Sequence, residues 1–214
     1  MSDESDRNSR HAARQDPTRE ARHAARMARK KALIDAAIAA ATDARGLLIV
    51  ITGNGKGKST SAFGTMARAL GHGMKVCVVQ FIKSRTDTGE EAFLGKRPGV
   101  DLHVTGDGFT WDTQNREQDI ATAQRGWAIA ARMLADPAYQ LVVLDELTYL
   151  LSYGYLDADS VLDALAHRPP MQHVIVTGRA ASAALIELAD TVSVIADEKH
   201  AFRAGVKAQP GIDL

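Results

Sequence analysis

Glycines and lysines alternate in the stretch Thr52-Gly53-Asn54-Gly55-Lys56-Gly57-Lys58-Ser59-Thr60. Residues of these types in this order suit one task, the holding of a nucleotide's polyphosphate. Glycine lets the backbone turn tightly, so that successive N–H groups face inward at phosphate oxygens. Lys58 is placed to reach the terminal phosphates, the Ser59 hydroxyl to ligate magnesium, and a helix beginning here adds the positive end of its dipole. The spacing is a variant: in the common G-x-x-x-x-G-K-[ST] pattern the first glycine falls where this chain has Thr52, and Gly53 comes one position later. An ordinary glycine-rich turn between strand and helix is the bland alternative.

A second group of residues completes such a site. The apolar run Leu141-Val142-Val143-Leu144 ends in Asp145-Glu146. A magnesium ion on nucleotide phosphates usually takes a carboxylate from the end of another strand. Spacing leaves open which of the two acids lies closer to the metal. A further run, His173-Val174-Ile175-Val176-Thr177, ends in Gly178-Arg179. Arg179 could hold phosphate or carboxylate there, or be a surface arginine at a helix start. Phe109 and Trp111 sit in the glycine-flanked polar segment 105–117, in a chain with only 5% aromatic residues. They read either as a flat platform for a planar ligand or as rings folded onto a local apolar gap.

The elements that must position these residues are legible as alternating patterns. Strands are expected at Leu47–Ile51, Lys75–Phe81, Val100–Val104, Gln140–Leu144, His173–Thr177 and Thr191–Ile195. Helices are expected at Thr60–Leu70, Gln114–Leu134, Asp157–Ala166 and Ala180–Leu188, with stops at Gly71-His72-Gly73 and Pro169-Pro170. Short apolar strands between helices argue an α/β fold: a mostly parallel sheet with helices on both faces and a P-loop, RecA-like architecture. Ligands then belong beyond the carboxyl ends of the strands. Residues 1–44 form a basic, Ala/Arg-rich arm, with a helix expected over 18–42 and Thr18 as its cap. Residues 45–214 form one domain. The arm could contact nucleic acid or phosphate-bearing surfaces, or simply pack on the domain or a neighbouring subunit.

Composition narrows the classes. Of 214 residues, 45% are apolar and 24% charged, enough to bury a real core. With 26 basic and 26 acidic residues the net charge offers no argument for nucleic acid or membrane partners. The single cysteine, Cys77, lies in an apolar run, which excludes an internal disulfide and fits a reducing compartment. No apolar run approaches the roughly 20 residues that cross a bilayer, and the N-terminus lacks the order of a secretion signal. The expectation is a cytoplasmic protein.

Taken together, several motifs resemble the P-loop family of ATP:corrinoid adenosyltransferases. They are the loop 53–60, Gly71-His72-Gly73, Val78–Lys83, Gly108-Phe109-Thr110-Trp111, Thr113–Glu117, Val142–Tyr149, Thr177-Gly178-Arg179, Ala184–Thr191 and the tail Lys199–Gln209. The resemblance implies transfer of the 5′-deoxyadenosyl group of ATP to the Co(I) of a reduced corrinoid, cobalamin or a precursor, with inorganic triphosphate released. It implies that ATP lies reversed relative to ordinary P-loop enzymes. Gly53, Asn54, Gly55, Lys56, Gly57, Lys58, Ser59, Thr60 and Arg179 are then the ATP-binding residues. Ser59 with Asp145 or Glu146 holds Mg2+, and Lys58 and Glu146 are the catalytic groups. Phe109 and Trp111 lie below the corrin plane. Such a reaction needs alignment and charge stabilisation rather than a base, and no Ser-His or Cys-His pair stands out. The resemblance further implies a homodimer and an external reduced flavin or flavodoxin-type electron donor. The rival readings are a phosphotransferase or NTPase cleaving the terminal phosphate, and a nucleic-acid-binding ATPase gripping through the basic arm.

Overall fold

The computed structural model describes residues 17–82, 88–106 and 115–213. The chain divides at Ala44/Arg45 into two compact units. Among the described residues of the N-terminal unit a helix, α1, runs Pro17–Ala40. It starts one residue before Thr18, which therefore lies inside the helix and not at its cap. Proline suits a first turn, where its missing N–H would have no partner. Alanine fills the interior, and Lys31 pairs with Asp35 one turn on at 2.6 Å.

The second unit is an α/β layer structure. Its strands are β1 Leu48–Thr52, β2 Val76–Gln80, β3 Val100–Val104, β4 Leu141–Asp145, β5 His173–Thr177 and β6 Thr191–Val194. They lie in the order β3-β2-β4-β5-β1-β6, and every pairing is parallel. The helices are α2 Lys58–Gly71, α3 Gly89–Leu94, α4 Arg116–Ala135, α5 Leu147–Ser152, α6 Ala158–Ala166 and α7 Ala183–Leu188. Each of the central strands β2, β4 and β5 is too apolar to face water on either side, and alternate residues feed two cores. Ile51, Val76, Val78, Val143 and Ile175 pack beneath Ala62, Phe63 and Met66 of α2. Val50, Cys77, Val79, Leu144 and Val176 face Ala123, Ala130 and Leu134 of α4, with α5, α6 and α7 on the same layer.

The strands Val100–Val104 and His173–Thr177 have the expected bounds, and other element ends differ by up to three residues, for local reasons. Asn115 and Asp157 are helix caps, their side chains accepting from the N–H groups of Gln118 and Ser160. Ser182 does the same for α7, so that helix starts after the expected Ala180. Among the described residues, two α-helices were not expected at all. One is α3, introduced by Thr88, whose hydroxyl accepts from Glu91 N; the other is α5, which begins directly after Glu146. β6 is an edge strand whose four residues are all exposed, unlike the interior strands.

Cys77 is fully buried in the middle of β2. Burial, with the charge of nearby Asp101 adding to it, pushes its thiol up to about 12. Because thiolate is the reactive form, the native protein should fail to react with a disulfide reagent such as DTNB at pH 8, while the denatured chain releases one equivalent. Rapid stoichiometric labelling of the native state would refute this burial.

Candidate active site

The sheet order brings three strand ends together: β4, β5 and β1 are consecutive neighbours, so the loops after Asp145, Thr177 and Thr52 emerge side by side. After β1 the chain enters the glycine loop. Gly53 has φ +103, and a Cβ there would come 2.4 Å from the Ile195 carbonyl oxygen. The Gly55 N–H donates to that same oxygen at 2.8 Å. The loop is thus pressed against the chain leaving β6. Gly57, at φ +111, is different: nothing lies within 4 Å of where its Cβ would be. It caps α2 with no side-chain hydrogen bond, which leaves the first-turn N–H groups of a 14-residue helix for a ligand.

Lys58 opens that helix and is only 7% exposed, its Nζ donating to the Gly55 carbonyl at 2.8 Å. Burial lowers its pKa from the ordinary 10.5, with Arg179 acting in the same direction, while Glu146 and then Asp145 favour its charge. A buried ammonium with acids near it and an empty space before it is poised for an anion.

The carboxylate side is built from β4 and β5. Asp145 is completely buried. Its Oδ1 accepts from Thr177 Oγ at 2.6 Å and its Oδ2 from Gln80 Nε2 at 3.0 Å. The Thr177 hydroxyl oxygen in turn accepts from the Glu146 N–H at 2.9 Å. Glu146 is held at φ 64, in the left-handed region that costs a side-chain-bearing residue about 1 kcal/mol or more. That turn aims its carboxylate past Gly178, where a Cβ would lie 3.3 Å from Glu146 Oε2 and 2.1 Å from Thr148 Oγ1.

Loop and acid enclose a cavity of about 620 Å³. Lys56, Gly57, Lys58, Ser59, Thr60 and Glu146 line one part; Gly89, Glu90, Phe93 and Leu94 of α3, and Gly211, Ile212 and Asp213, line the rest. Of the expected nucleotide residues, Gly53 and Gly55 shape the loop from behind, and Asn54 and Arg179 are exposed and outside that lining. Of the expected acids, Glu146 reaches the cavity and Asp145 does not. Phe109 and Trp111 lie outside the described residues. The α3 wall and the 211–213 segment were missed by sequence reading. For α3 a signal existed, since Thr88-Gly89-Glu90-Glu91 has the S/T-x-x-E form of a capping box. The tail carries no such pattern.

Residues 44–214 match the family described as ATP:corrinoid adenosyltransferase BtuR/CobO/CobP, and residues 16–38 match a segment described as cob(I)alamin adenosyltransferase N terminal. The chain belongs to the ATP:corrinoid adenosyltransferases. The corrinoid adenosyltransferase of Pseudomonas aeruginosa is 58% identical over 92% of this chain and 98% of its own length. That of Escherichia coli K12 is 54% identical over 90% and 97%, and corrinoid adenosyltransferase CobA of Salmonella typhimurium 53% over the same shares. As a member of this adenosyltransferase family, the chain takes ATP and a corrinoid as substrates and transfers the adenosyl group in cobalamin synthesis.

Two predictions come from this geometry. Thr177→Val should cost about 1–3 kcal/mol, because a buried carboxylate and the Glu146 N–H both lose their partner. Chemical denaturation measures the cost, and ATP affinity should fall with it; a fully stable variant with normal ATP binding would sink the arrangement. The lowered Lys58 pKa predicts that ATP binding weakens as pH rises through the alkaline range, earlier than for an exposed lysine, since only the ammonium attracts phosphate. Affinity that stays flat to the ordinary lysine range would contradict it.

Proposed function

We propose that the adenosyltransferase grips ATP by its triphosphate in the 620 Å³ cavity, leaving the ribose 5′ carbon outward for attack by Co(I) of the reduced corrinoid. The observation that carries the reading is the pairing of Lys56, Lys58 and the uncapped start of α2 with Glu146 across one cavity. The cobalt nucleophile brings its own electron pair. It forms a Co–C bond as the C5′–O bond breaks, and the electrons of that bond leave on the triphosphate. The protein's task is therefore to align and to stabilise charge on the departing oxygens. Lys58, buried beside the loop N–H groups, supplies positive charge at close quarters; Lys56 and, at the adjoining strand end, Arg179 add to it.

The residues present fit a magnesium ion. Ser59 and Glu146 both line the cavity, and the carboxylates Glu90, Glu146 and Asp213 outnumber its two lysines. A bare triphosphate would meet a net negative wall there, whereas a metal complex would not. Ser59 and Glu146 are the proposed ligands. Asp145, with Gln80 and Thr177 on its two oxygens, orients the Glu146 turn instead. When bound, magnesium would neutralise part of the charge on the leaving group.

Family resemblance adds further parts. Phe109 and Trp111 would lie beneath the corrin plane, an external reduced flavin or flavodoxin-type protein would supply electrons, and the enzyme would act as a homodimer, each chain comprising the arm 1–44 and the 45–214 domain. ATP as co-substrate and a buried, reduced thiol favour a cytoplasmic setting. Among the described residues no helix is long and apolar enough to cross a membrane.

The deciding experiment is anaerobic incubation with ATP and chemically reduced corrinoid. Appearance of the cobalt–carbon product by absorbance should match inorganic triphosphate mole for mole. ADP as the product would put the cleavage at the terminal phosphate and favour a phosphotransferase.

A further inference from the structure

The chemistry described above leaves one part of the cavity wall without a task, the segment Gln209–Asp213. It is folded into a tight turn: the N–H groups of Ile212 and Asp213 donate to the Gln209 carbonyl at 3.1 and 2.9 Å. The Gln209 N–H closes the turn by donating to Asp213 Oδ2 at 2.9 Å. The other carboxylate oxygen, Oδ1, lies 2.9 Å from Nζ of Lys56 in the phosphate loop. The side chains of Lys56 and Asp213 are 45% and 28% exposed, so a dissolved anion can reach the pair. Both residues line the phosphate cavity. The Gln209 N–H first, and then Lys56, hold the Asp213 carboxyl below its usual range, so it remains an anion.

We propose that Asp213 is a built-in competitor for the triphosphate: it occupies Lys56 in the empty enzyme, yields it to phosphate when ATP binds, and takes it back as the triphosphate leaves. This rests on the triphosphate reading given above. Two anions contend for one ammonium, and a carboxylate left beside a bound polyphosphate repels it. A site with Asp213 therefore holds triphosphate less tightly than a site without it. The need follows from the reaction. Triphosphate departs whole, with more negative charge at its free end than it carried in ATP, from a loop built to bind it. A carboxylate tethered at the cavity has a high local concentration and helps to displace it. Because the pair is partly exposed, the effect is modest, about two- to fivefold in binding.

The test uses Asp213→Asn, close to isosteric but neutral, and Asp213→Glu, which keeps the charge. Inorganic triphosphate with magnesium is titrated into the full-length enzyme by calorimetry without corrinoid, and uncharged adenosine serves as a second probe. The triphosphate Kd should fall about two- to fivefold in D213N, return toward the parent value in D213E, and lose this difference at high salt, while adenosine binding stays unchanged. Unaltered or weaker triphosphate binding in D213N overturns the proposal, as does an equal gain for adenosine, which would mark a merely structural loosening of the turn. The turnover assay separates the two readings. ADP as product would remove adenosyl transfer and leave the anion competition to be judged on the calorimetry alone.

Discussion

A carboxylate with no access to water, Asp145, is the constraint around which this active site is arranged. It lies at the end of a central parallel strand, where both its oxygens must find donors inside the protein. Gln80 from β2 and Thr177 from β5 provide them, one from each neighbouring strand. Satisfying Asp145 thus ties three strand ends to one another. Because the Thr177 hydroxyl also receives the Glu146 N–H, the same bond turns the chain into the left-handed conformation from which Glu146 reaches the cavity. The buried acid, outside the cavity lining, thus fixes where the acid that lines the cavity is held.

The phosphate loop is anchored with similar economy. Two of its glycines are needed less for a ligand than for the backbone of Ile195 and Ala196, which approaches too closely for any side chain. That contact joins the loop to the exit of the exposed edge strand β6, itself paired to β1. Gly57 alone faces open space, where a bound polyphosphate has room. The loop is therefore packed against backbone behind and open in front, an arrangement that preorganises N–H donors at low cost.

The charges follow one logic. Lys58 loses its hydration on burial, a loss that the fields of Glu146 and Asp145 offset only in part. The outer lysine, Lys56, is compensated by Asp213. The two lysines of the cavity, Lys58 and Lys56, thus each have an acid near them, Glu146 and Asp213. The inner pairing is protected from water and the outer one is not. The turn at Gln209–Asp213 stands beside the more exposed of the two lysines.

Much of this was legible in the residues alone. Runs such as Leu141–Leu144 and Val174–Val176 are continuously apolar within strands of five residues, a pattern that requires cover on both faces, so the α/β class and the strand positions could be read directly. The Gly-Lys-rich loop announced phosphate binding because few other tasks call for those types in that order. The short helices α3 and α5 could not be read with equal ease, since six residues complete too few turns to display a period. Which acid lines the cavity was equally hidden: Asp145 and Glu146 are adjacent and chemically alike, and only the strand order β4-β5-β1 places Thr177 where it bonds both the buried Asp145 carboxylate and the Glu146 N–H. Asp213 was further still from notice, a single acid in a tail without periodicity. Local patterns determine elements because they act within a few residues; the partners of Asp145 and Lys56 lie far along the chain, and folding alone brings them within hydrogen-bonding distance.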